Sequence, residues 1–152
     1  MSHRKLPKTS ATRQFADLVL APVDPNKLET LRSLLARVRG ETIAHMQGRA
    51  SPDTLLPFDA LSSLHYARFV LLEQEGEARA VLAFATDYDG PEGEDDCQRA
   101  AAHRAHIAQL QQQLGAGLAS IFACCEGYRA GELGSYLERH QRRSSTFYVG
   151  AS

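Results

Sequence analysis

The stretch from Ser63 to Gly90, SLHYARFVLLEQEGEARAVLAFATDYDG, limits most strongly what this chain can fold into. Tyr66, Arg68, Val70 and Leu72 alternate with His65, Ala67, Phe69 and Leu71, and both sets are largely apolar. A strand with apolar residues on both sides of its pleat is expected inside a sheet that is covered on both faces. Gln74 to Glu77 supply a turn, with Gly76 available for a positive φ. ARAVLAFAT then repeats the two-sided pattern, and its small Ala80, Ala83 and Ala85 leave room for a bulky neighbour. The spacing predicts a long hairpin at the centre of the sheet, its polar tip at Asp87–Gly90 turning into the helix that follows.

The rest of the chain reads as elements returning to that hairpin. TRQFADLVLAPV, residues 12 to 23, is a strand too apolar over Phe15–Ala21 for an exposed edge, with Asp17 as its exception. Asp24-Pro25 is a strong helix start, a capping carboxylate followed by a proline in the first turn. Leu28, Leu31, Leu35 and Val38 continue it as one apolar stripe. Gly40 either ends this helix or kinks it before it resumes to Gly48. RASPDTLLPFDALSS, with two prolines, is a connecting loop. A second helix is expected from about Glu94 to Leu114, with acidic residues in its first turn. Its apolar line runs through Ala100, His103, Ile107, Leu110 and Leu114, and Gly115 and Gly117 stop it. LASIFACC is then a short strand, GELGSYLERHQ a short helix with Leu133, Tyr136 and Leu137 inward, and SSTFYVGA a closing strand. The order is β-α-β-β-α-β followed by α-β. That is an α+β fold, a ferredoxin-like split βαβ with an added C-terminal helix and strand, and helices on one face of the sheet. Residues 1–11 are expected to be a flexible tail, and residues 12–152 a single domain.

Composition bounds the function classes. A net charge of −1 gives no global field for nucleic acid or an anionic membrane. No apolar run approaches a membrane span, and the polar N-terminus lacks the apolar middle of a secretory signal. A cytoplasmic protein is expected. The three cysteines, Cys97, Cys124 and Cys125, do not form a disulfide framework. Reduced thiols fit better. Cys124 and Cys125, placed on a strand, would point to opposite faces.

Four motifs in order carry a resemblance: LHYARFVLL, LAFATDYDG, CCEGY, and YLERHQ followed by TFYVGA. They resemble a bacterial domain family whose members read HFARWV, LLFxSNYDG, GYP, RHQ and YSAYP at these places. The likeness spans most of the chain from Thr12. Thr86-Asp87 stands where Ser-Asn is usual, and Arg129 where the proline of GYP would be. Relatives continue past the last strand, so the resemblance implies either a piece of a longer protein or a compact member. It implies a ferredoxin-like domain related to dimeric α/β barrels, some of which hold haem or oxidise small aromatic molecules.

The candidate ligand-binding residues are His65, Arg68, Tyr88 and Tyr148. His65 is a candidate general base or haem ligand, and Arg68 a candidate anion anchor. Strand alternation puts the two on opposite faces unless the strand bulges. The competing structural reading pairs Arg68 with a buried carboxylate, Asp17 or Asp87. Asp87, Tyr88 and Asp89 lack the further ligands of a calcium loop. His103 and His106 have i, i+3 spacing with nothing nearby to complete a metal set. His103 reads as a core histidine bonded to a carbonyl, and His106 as facing solvent. The sheet face without helices is apolar along several strands, so a homodimer through that face is expected. The two functions open at this point are binding of a small apolar, aromatic or haem-like molecule in a dimeric barrel, with oxidation as its strong form, and a non-catalytic dimerisation or assembly module.

Overall fold

The computed structural model describes residues 13–49, 53–61, 63–73, 79–90 and 96–142. Strand β1 is Arg13–Pro22, helix α1 Leu28–Met46, β2 Leu64–Glu73, β3 Ala80–Gly90, helix α2 Asp96–Phe122, helix α3 Leu133–His140 and β4 Gln141–Arg142. The chain is α+β. Its described strands form one antiparallel sheet in the order β2-β3-β1-β4. The crossover through α1 thus leaves β3 between β1 and β2, and the crossover through α2 and α3 leaves β1 between β3 and β4.

Register follows the apolar alternation. Val19 lies opposite Phe84, Ala21 opposite Leu82, and Phe69 opposite Phe84 from the other side. These residues face the helices and build the core with Leu31 of α1, Leu110, Leu114, Leu118 and Phe122 of α2, and Leu133, Tyr136 and Leu137 of α3. Phe84 is its centre. Phe69 stacks on it at 4.5 Å between ring centroids, and Phe122 tilts against it at 6.1 Å. Residues on the opposite pleat, among them Leu18, Leu20, Val70, Leu72, Val81 and Ala85, are half-buried or exposed.

The start of α1 follows its sequence signal. The Asp24 carboxylate accepts from the Asn26 amide at 3.0 Å, and Pro25–Lys27 form a 3-10 turn that leads into the helix. Gly40 does not end the helix, which continues to Met46; Gly48, at φ 75°, follows it.

Several expectations are corrected. Among the described strands β2 lies at an edge of the sheet and not at its centre, with Tyr66 and Leu72 both 49% exposed. β1 and β3 share its double-sided apolarity, and pairing alone decides which strands lie inside. Asp87 to Gly90 form no turn; they remain in β3, opposite Arg13 to Ala16. LASIFACC is not a strand. Helix α2 runs through Gly115 and Gly117 to Phe122, because Leu114, Leu118 and Ile121 extend the stripe of Leu110 at helical spacing. Gly117 is a place of close approach, where a Cβ would run into the Leu55 carbonyl oxygen. Cys124 and Cys125 follow the helix end, both buried, and the Cys125 backbone forms a single antiparallel bridge with Val23. The short helix with Leu133, Tyr136 and Leu137 buried is found as expected. The tail over residues 1–11, the turn at Gln74–Glu77 and the strand SSTFYVGA with Tyr148 lie outside the described residues.

Candidate functional site

Two regions of the molecule gather chemistry. The first is a polar cluster set into the apolar layer between sheet and α2. Asp17 stands on the helix-facing side of β1, opposite Thr86 of β3. Its Oδ2 accepts from His103 Nδ1 at 2.5 Å, and its Oδ1 accepts from the Gln141 side-chain amide at 3.1 Å. Tyr88, only 2% exposed, brings its phenol to the same carboxylate. Burial first, and then the Asp17 charge and hydrogen bond, push the Tyr88 hydroxyl well above its ordinary range, so it stays protonated. One carboxylate therefore holds β1, β3, α2 and β4 together.

One turn along α2, His106 Nε2 lies 2.9 Å from the Thr86 hydroxyl, and its ring stacks on Tyr88 at 3.7 Å between centroids with 6° between planes. Burial pushes the His106 imidazole down to about 4, against the smaller upward pull of Asp17; His103 lowers it further. It is neutral at pH 7. The i, i+3 spacing thus turns both histidines toward the sheet. His106 does not face solvent, and the partner of His103 is a carboxylate in place of the expected carbonyl. The remaining ring nitrogen of His103, Nε2, is buried without a hydrogen-bond partner among the described residues. Asp17 is occupied here and is not the partner of Arg68.

The second region is a groove on the outer edge of β2, under α1 and the 3-10 turn Phe58–Ala60. A cleft of about 320 Å³ is lined by Phe58, Leu61, Leu64, His65 and Tyr66 among others. A second, of about 670 Å³, lies between α1 and β2, lined by Leu35, Val38, Ile43, Phe69, Arg39 and Arg68 among others. The two clefts share Phe58 and Ala67 and so adjoin. A register shift between Leu64 and Tyr66 places one extra residue in β2 there, a bulge at His65. At the bulge His65 meets the Asp89 carboxylate through Nε2 at 2.6 Å.

Of the predicted site residues, His65 and Arg68 line this one groove, which alternation alone would forbid and an edge strand with a bulge permits. Tyr88 is not in the groove but in the buried cluster around Asp17. Tyr148 lies outside the described residues. Sequence reasoning missed the cluster itself, although Asp17 as the lone charge in an apolar strand was a signal for it. It also missed Arg39, which reads from sequence as part of a solvated helix face.

The Nε2 of His65, the nitrogen that an axial haem ligand presents, is engaged by the partly exposed Asp89 carboxylate. Among the described residues no three His, Cys, Asp or Glu side chains gather to hold a metal ion. Burial raises the thiols of Cys124 and Cys125, the latter to about 12, which keeps both protonated and poor nucleophiles. No described helix is long and apolar enough to cross a membrane. Compared with protein-family models, with curated proteins and with solved structures, the chain matches none.

Proposed function

We propose that this chain is a small-molecule-binding domain, and that the groove along β2 is its binding site. The observation that carries the reading is the adjacency of the two clefts, which share Phe58 and Ala67, with His65 lining one and Arg68 the other. The larger cleft is of the size that holds a metabolite, and a mostly apolar wall with a few polar groups suits an apolar or aromatic body. The buried cluster serves the fold in this reading. Its groups are largely buried and mostly bonded to one another, so it fixes α2 and β4 on the sheet and leaves the groove to do the binding.

The test is titration with N-phenyl-1-naphthylamine, an uncharged apolar dye that fluoresces when it leaves water. Saturable enhancement in the native protein, lost in Phe58→Asp with an unchanged circular dichroism spectrum, is the expected result. Binding that persists in Phe58→Asp would move the site elsewhere.

The strand order β2-β3-β1-β4 with two crossovers supports a ferredoxin-like assignment. It also supports a second reading, a homodimer through the face that carries no helix among the described residues. Leu18, Leu20, Val70, Leu72 and Val81 present an apolar surface there, and Leu72 is half exposed. A two-fold pairing of that face with itself is the simplest cover. Sedimentation velocity at micromolar concentration should give a dimer that Leu72→Lys dissociates; a monomeric native protein removes this reading.

A further inference from the structure

We infer that the ligand of the groove is an amphipathic anion, an alkyl or aryl body carrying a single carboxylate head. This rests on the reading of the groove as a binding site and adds the chemistry of what it takes. The apolar wall is formed by Leu35, Val38, Ile43 and Phe58, and Ile43 is 46% exposed. Such a surface is left wet in the free protein and gains from an apolar body laid on it.

The arginines decide the head. Along α1 and the groove, Arg32 is paired with Glu29 and Glu73, and Arg37 with Glu41. Arg39 and Arg68, the two that line the larger cleft, make no ion pair among the described residues. Two of the carboxylates beside the clefts are already engaged: Glu41 also accepts from the Leu55 amide, and Asp59 meets His45. Thr42, which also lines the cleft, gives its hydroxyl to the Val38 carbonyl and does not compete for a head group. A mostly apolar cleft lined by two arginines that have no acidic partner among the described residues attracts a negative charge, and a planar guanidinium matches a carboxylate through two parallel hydrogen bonds. A cationic or uncharged ligand of the same body would leave that field unanswered.

The experiment compares three ligands with one chain and different heads: decanoate, decanol and decyltrimethylammonium, each titrated calorimetrically into the full chain. Decanoate is expected to bind about tenfold more tightly than the other two, a difference that one charge-assisted pair accounts for. The double variant Arg39→Gln/Arg68→Gln, at two exposed positions, should level decanoate with decanol. Equal affinity of decanoate and decanol for the native chain would overturn the anion assignment while the groove stands as an apolar site. A decanoate preference that survives the double variant would overturn the role of these arginines. Failure of all three ligands, together with failure of the uncharged dye, would remove the binding site itself.

Discussion

The cluster around Asp17 and the groove along β2 make opposite uses of polar and apolar side chains. In the cluster, charged and polar groups lie inside an apolar layer, and nearly every one is answered by a partner on another element. In the groove, apolar side chains lie in water and two arginines have no acidic partner among the described residues. The contrast separates what a domain needs to stay folded from what it offers to something else. Buried polar groups are tolerated only when paired, so a satisfied network reports on architecture. Unanswered apolar surface and unanswered charge cost little where solvent reaches them, so their coincidence reports on a ligand.

Four changes test this division. The largest effect is expected at the hub: Asp17→Ala strands His103 and the Tyr88 hydroxyl in an apolar layer and should cost about 3–5 kcal/mol in urea unfolding. A cost below about 1 kcal/mol would mean that the cluster opens to solvent and is not architectural.

Next comes acid. His106 has its folded-state pKa lowered to about 4, so between that value and its ordinary 6.5 the unfolded chain binds the proton more readily than the folded one. Stability from this group is therefore whole above pH 6.5 and falls as pH drops to about 4. The loss is on the order of 3 kcal/mol, and it should be absent from the pH profile of His106→Gln.

The third test uses the two glycines of α2. Gly117→Ala drives a Cβ into the Leu55 carbonyl and should cost about 2 kcal/mol or more, whereas Gly115 has open space and Gly115→Ala should stabilise by about 0.5–1 kcal/mol. Melting temperatures moving in the same direction would contradict the packing of α2 against the 53–61 loop. The smallest effect is reserved for the groove: Ile43→Ser should change stability by no more than about 0.5 kcal/mol while weakening dye binding severalfold. A large loss of stability there would make the groove part of the core.

Much of the architecture is legible in the chain. The strands within 12–23, 63–73 and 78–90 and the helix opened by Asp24-Pro25 follow from local alternation, capping and helical spacing. The inward residues of the last helix, Leu133, Tyr136 and Leu137, follow from the same rule. The end of α2 escapes sequence reasoning because a glycine looks the same whether it stops a helix or clears a path for a passing carbonyl. The edge position of β2 escapes it because pairing partners, and so edges, are absent from a periodic pattern.

The site divides in the same way. His65 and Arg68 can be singled out as chemically capable residues, but their meeting in one groove depends on a bulge and an open edge, which pairing creates. His106 cannot be told from a surface histidine until α2 is laid against Thr86 and Tyr88. The two strands within Ser63–Gly90 were determined by their own residues, since alternation is a property of neighbours along the chain. Which of them lay inside, which carboxylate met which histidine, and which arginines went without a partner were decided only by tertiary structure, because each depends on distances between residues far apart in sequence.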